Sequence, residues 1–328
     1  MKLRSSMTAP LYAGAILLLT SFSSYMLLKV NELSENPFLS VSIIQLFVFL
    51  IPTAFYCSVG RITFSDSIKL NFSLSSIPVF IESTLVFFVG AAVMKYVGYY
   101  FLDGAYVNTP GVINASVYGA EGVLPLICMV FLPAILEEIV FRGVLLEEYK
   151  AYGDITAVVM TSLFFAMIHF SLENFLYYFF AGIVFGLMTV ATNSCIPAIA
   201  LHIINNFTAL TVEDSYITYI DQLGGTMLFL FIGASVFLLL LFFLFSRIEG
   251  LYMKKAEMNS AGKRLAIVNE AMMLNEGKAK KNSDLYMHVK GEADTSHRNG
   301  EPHFKDTFLS PSFWIVVVFF MLKASDVI

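Results

Sequence analysis

Six polar side chains on three otherwise apolar segments carry the chemical potential of this chain. Glu137, Glu138 and Arg142 lie in the run LEEIVFR, His169 follows Phe165 in a later segment, and His202 and Asn206 share a third. An ionisable group inside a bilayer costs several kcal/mol unless it is paired, so such residues are functional candidates by default. Glu138 and Arg142 stand four apart with the acid first, the favoured order for an ion pair along a helix. Glu137 sits about 100° further round the same helix, which lets it point away from Arg142 into a cavity between helices. His202 and Asn206 share one helix face, as do Phe165 and His169.

One carboxylate, two imidazoles and an amide can therefore converge on a small volume, and the chemistry they suit is hydrolysis. Glu137, helped by His169, would hold and deprotonate a water. His202 and Asn206 would donate to the oxyanion formed as that water attacks an amide carbonyl. No G-x-S-x-G or HExxH pattern stands at these positions. The plainer alternative is that the polar groups join helices by hydrogen bonds and one salt bridge.

The elements that must position these residues are membrane helices. Of 328 residues, 57% are hydrophobic and 14% charged, against roughly 25% charge in soluble domains. A net charge of −5 argues against nucleic-acid binding. Apolar windows near 10–29, 38–59, 77–102, 122–148, 155–170, 174–192, 196–212 and 226–246 predict an all-α, polytopic bundle of about eight spans. The fifth and seventh windows are short, and His169 falls at the edge of the fifth. Convergence of the three motifs thus requires that boundary to lie several residues away, or the helix to begin deeper.

Lys2, Arg4, Arg61, Lys69 and Lys150 all fall inside if the N-terminus is cytoplasmic, and the 103–121 and 213–225 loops, which hold no basic residue, fall outside. Both the N-terminus and the 247–306 tail are expected in the cytoplasm. The apolar stretch from Leu11 to Leu28 is read as a first span rather than a cleaved signal. The domain division expected is 1–246 as the membrane domain, with a core at about 120–210, and 247–328 as a charged tail ending in a short apolar segment. The 247–306 stretch holds 11 basic and nine acidic residues; its early part suits an amphipathic surface helix, and Asn282 to Asn299 suits disorder. The apolar stretch Phe308 to Leu322 is left as an interfacial or ninth segment.

The ordered motifs Glu137-Glu138-x-x-x-Arg142, Phe165-x-x-x-His169 and His202-x-x-x-Asn206 resemble those of the CPBP family of membrane proteases. That family includes type II CAAX prenyl endopeptidases and bacterial proteins of bacteriocin processing and self-immunity. The likeness covers roughly residues 120 to 210. It implies an intramembrane endopeptidase in which Glu137 and His169 activate water, His202 and Asn206 line the oxyanion site, and Glu138 and Arg142 give support. The implied partners are the lipid bilayer and a membrane-associated peptide or lipidated, CAAX-type protein.

Two rivals remain. Glu137, His169 and His202 could instead form a His₂Glu zinc site with an open position; family members are described in both metal-dependent and metal-free terms. No cofactor is favoured, because no carboxylate that would orient a ligand histidine is evident beside His169 or His202, with Glu173 the one candidate. A non-catalytic immunity or scaffold protein binding hydrophobic peptides is the second rival, and a transporter a more distant third. Cys57, Cys128 and Cys195 read as buried apolar residues. Gly182 and Gly186 form a GxxxG that marks close packing within the bundle. Tyr177 and Tyr178 read as packing or interfacial residues, Glu82 and Lys95 as snorkelling to the interface, and His288, His297 and His303 as solvated.

Overall fold

Each apolar run becomes a helix, because a backbone in lipid has no water partners and must satisfy its own N–H and C=O groups. The computed structural model describes residues 5–31, 36–60, 62–63, 68–71, 73–101, 123–211, 226–275 and 304–325. Among them every regular element is helical. In order these are α1 (Ser5–Ser21), α2 (Ser23–Asn31), α3 (Pro37–Gly60), α4 (Ile77–Phe101), α5 (Leu124–Tyr152), α6 (Asp154–Met167), α7 (Phe175–Thr192), α8 (Ile196–Thr211), α9 (Thr226–Asn275), α10 (Phe304–Phe308) and α11 (Pro311–Ala324). The chain is an integral, multi-pass membrane protein.

Five stretches are long and apolar enough to cross a bilayer: Phe38–Gly60, Leu74–Val97, Leu124–Tyr152, Phe175–Thr192 and Met227–Lys254. The expected first, fifth and seventh spans are shorter apolar helices of 10–17 residues, as is Pro311–Ala324. The first window also divides: α1 ends at Ser21, and Phe22 joins it to α2, its N–H bonding back to the carbonyls of Leu18 and Leu19 and its own carbonyl accepting from Met26 N–H. Several Ser and Thr hydroxyls inside the helices are satisfied on their own backbone. Thr84 donates to Phe80 O, Thr161 to Ala157 O, Ser162 to Val158 O and Thr189 to Phe185 O, which lets them sit in an apolar setting without cross-helix partners.

Gly153, at φ +95°, turns the chain between α5 and α6, and Asn193, at φ +51°, ends α7. Both conformations are sterically costly for most side chains. α6 and α7 pack tightly because Gly182 and Gly186 bring the backbones together. A Cβ on Gly182 would stand 2.8 Å from the Ser162 Cα, and one on Gly186 would stand 3.1 Å from Val158. The GxxxG is thus an intramolecular packing face.

The chain divides into two units, 1–244 with 304–328, and 245–303. The expected division placed 308–322 at the end of the tail. α11 packs within the first unit, where Val316 meets Gly14 of α1 and the Phe313 ring meets Phe164 of α6. An apolar helix gains more by burying Phe313, Val316 and Phe320 against the bundle than by lying apart. Within its described residues the second unit is the helical stretch 245–275. The 103–121 and 213–225 loops, the 282–299 stretch and His288, His297 and His303 fall outside the described residues. The three cysteines are free and buried.

Candidate active site

α5 supplies the acids, and its backbone is irregular on both sides of them. The helix is π-type over Ile127–Phe131 and again over Ile139–Leu145, with the α-helical turn Leu132–Glu138 between. Such wide turns are rare and gather at functional sites. Here they bracket Glu137 and Glu138.

Glu138 and Arg142 form the expected ion pair, Nη1 to Oε1 at 2.9 Å, with both side chains fully buried. Arg142 also donates from Nη2 to the Gly182 carbonyl at 3.1 Å. Three rings surround its guanidinium: Phe165 at 4.5 Å, Phe185 at 5.2 Å and Phe141 at 5.9 Å. Charge, hydrogen bonds and ring faces together offset the cost of burying a cation.

Glu138 does more than neutralise Arg142. Its Oε1 also accepts from His202 Nδ1 at 2.9 Å. This overturns the expectation that no carboxylate orients a site histidine. An ion-paired carboxylate can only accept, so Nδ1 carries the hydrogen and Nε2 is left with its lone pair. That free edge faces Glu137, whose Oε2 lies 3.9 Å from Nε2, beyond hydrogen-bond reach. The Oε2 of Glu137 is buried and has no hydrogen-bond partner among the described residues. The two glutamates thus diverge, as helix geometry demands, yet address opposite nitrogens of one imidazole.

His169 lies past the end of its helix. α6 stops at Met167, and His169 stands in the turn that follows. The expected fifth span is therefore shorter than 155–170 at this end, and the helix finishes inside the bundle. His169 Nδ1 bonds to the Phe165 carbonyl at 2.8 Å, which again fixes the hydrogen on Nδ1 and leaves Nε2 an acceptor. Its ring stacks on Tyr178 with centroids 3.7 Å apart and meets the edge of Phe165 at 5.1 Å. Phe165 also meets His202 at 5.7 Å, so both imidazoles lean on one ring. The next residue, Phe170, has φ +47°, a strained conformation for a bulky side chain that costs about 1–3 kcal/mol.

Asn206 lies one turn beyond His202 on α8. Its Nδ2 donates weakly, at 3.4 Å, to the carbonyl of Val130 in the first π-type turn. The structure thus brings Glu137, Glu138, Arg142 and His202 into one cluster, joins His169 to it through Phe165, and turns Asn206 toward Val130. Among the described residues no three His, Cys, Asp or Glu side chains are grouped to hold a metal ion. Glu173 accepts from Ser171 Oγ at 3.1 Å, which gives it a local role in the turn.

Residue spacing alone missed a second layer. Tyr178 holds the His169 ring, and its position is legible in hindsight: Tyr178, Gly182 and Gly186 recur every four residues on the face of α7 that packs on α6. Tyr177 donates to Asn205 Oδ1 at 2.8 Å, and Lys95 Nζ lies 4.8 Å over the Tyr177 ring. Lys95 thus contacts α7, where snorkelling to the interface was expected.

No curated protein and no solved structure matches the chain. A family match covers the segment that holds all six site residues. Residues 119–208 of this chain match the model of the family described as Type II CAAX prenyl endopeptidase Rce1-like.

Proposed function

We propose that the chain is an intramembrane endopeptidase that hydrolyses a peptide bond in a membrane-associated substrate, with prenylated CAAX-type proteins as the first class to try. The observation that carries this reading is the buried Oε2 of Glu137, without a hydrogen-bond partner among the described residues, facing the Nε2 of a histidine that another carboxylate holds in place.

In the proposed reaction Glu137 and His169 each accept one hydrogen of a single water, which aims a lone pair at the scissile carbonyl. Glu137 takes the proton as the C–O bond forms, and returns it to the leaving nitrogen as the C–N bond breaks. The oxyanion needs donors. Asn206 Nδ2 is one, after swinging from Val130 O. His202 can donate from Nε2 only as the imidazolium: it would take from Glu137, 3.9 Å away, the proton drawn from water, be stabilised by the Glu138 carboxylate while the oxyanion lasts, and hand the proton back through Glu137 as the C–N bond breaks. Every step uses this chain's own groups, and the same donors leave a zinc-dependent variant as an outcome of the test.

The test is cleavage of a panel of membrane-associated peptides, prenylated and unprenylated, by purified protein with and without a strong chelator. Cleavage that survives chelation supports the proposed roles and identifies the substrate class. Loss on chelation, restored by Zn²⁺, would move Glu137, His169 and His202 to ligand roles. Binding of peptide without any cleavage would favour the immunity or scaffold reading. The N-terminus and the charged tail are proposed to face the cytoplasm.

A further inference from the structure

The turn that carries His169 is clamped from outside the family segment. α11 lies more than a hundred residues beyond residue 208, yet its side chains reach both ends of the turn between α6 and α7. The Phe170 ring lies 6.3 Å from Phe319, edge to face, and 6.3 Å from Phe320, nearly parallel. Phe320, only 3% exposed, also meets Phe175, the first residue of α7, at 5.6 Å. One ring thus spans the entrance and exit of the turn. Strained backbone persists where surrounding contacts over-determine it; Phe170 N–H bonds to Met167 O inside the turn, and its ring is met by α11. The peptide joining His169 to Phe170 sets how the imidazole leaves the end of α6.

We infer that Phe319 and Phe320 are positioning residues for His169: by gripping Phe170 in its left-handed conformation they hold the imidazole on Tyr178, where it can share the water with Glu137. This rests on the proposed peptidase reading. Neither phenylalanine touches the reacting atoms. Their effect falls on kcat, because a small displacement of a catalytic group is felt in the transition state more than in substrate binding.

The experiment compares kcat and KM of the full chain in detergent for Phe320→Ala, Phe320→Leu, Phe319→Ala, Phe170→Ala, the Phe170→Ala/Phe320→Ala pair, and Val316→Ala. Val316 anchors the same helix to α1, away from the turn. Phe320→Ala should lower kcat on the order of ten- to a hundredfold with KM little changed, and Phe320→Leu should restore most of it. Phe319→Ala, at a half-buried position, should show a smaller loss of the same kind and serves if Phe320→Ala does not fold. The pair should be no worse than its worse single, since both act through one contact, and Val316→Ala should keep wild-type kcat per folded molecule. Equal loss in Val316→Ala, additive losses in the pair, or unchanged kcat in both α11 phenylalanine variants would overturn the inference.

A readout independent of activity separates the two claims. In protein labelled with ¹³C-histidine, the His169 ring signal, identified by its loss in His169→Gln, should move in Phe320→Ala as the Tyr178 stack loosens, while the His202 signal stays. A wild type that cleaves nothing would sink the peptidase reading, whereas an unmoved His169 signal would sink the coupling.

Discussion

Glu138 Oε1 accepts from Arg142 and from His202 at the same distance, 2.9 Å, so this acid both neutralises a buried cation and sets a tautomer. Removing it leaves two polar groups without their partner in an apolar interior. Glu138→Ala is expected to destabilise the protein by about 3–5 kcal/mol, read as a lower Tm, and to lower cleavage per folded molecule because His202 can then take either tautomer. A variant with wild-type Tm would contradict the ion-pair role. Tyr178→Leu is expected to keep the fold but lower kcat on the order of tenfold by freeing the His169 ring, with KM as the control. The Glu138–Arg142 pair was legible in the sequence because four-residue spacing fixes which side chains meet on one helix. The Glu138–His202 bond was not, since 64 residues separate its partners and only the packing of α5 against α8 brings them together. Tyr178 was hidden for the same reason.

At the scale of elements, apolar windows located the helices well, because hydropathy reports directly which stretches lipid or core can hold. Their ends were less legible. α6 ends at Met167 because the next residues leave the helical path, with His169 N–H bonding back to Ala166 O and Phe170 N–H to Met167 O; nothing in an apolar run ending FFAMIHF marks that exit. The π-type turns of α5 were equally silent in the sequence, since a wide turn adds a residue without changing composition. Packing of α6 on α7 was legible in Gly182 and Gly186. Gly182→Ala is expected to lower Tm by several degrees, about 1–3 kcal/mol, because the added Cβ would meet backbone at Ser162 that cannot rotate aside. It should also disturb the Gly182 carbonyl that Arg142 holds. Unchanged Tm would mean that α6 and α7 can separate freely.

For the whole molecule, an all-helical membrane bundle follows from composition and the length of the apolar windows, whereas the place of α11 does not. Residues 308–322 read as a short apolar stretch attached to a charged tail, and only folding shows that they return to α1 and α6. A single cysteine at Glu257 should react with an impermeant thiol reagent from the cytoplasmic side, and one in the 103–121 loop from the opposite side; the three native cysteines are buried and give a low background. Labelling of both positions from one side would reject the proposed topology.

The most direct test of the proposed chemistry is the cleavage rate of Glu137→Gln against wild type on one membrane-associated peptide, with Tm recorded for both. Glutamine keeps the shape of the side chain and removes the base. The expected result is a fall in kcat of about 10²–10⁴-fold with Tm unchanged. Cleavage by Glu137→Gln within about threefold of wild type, well short of a general-base effect, would show that Glu137 is not the group that activates water.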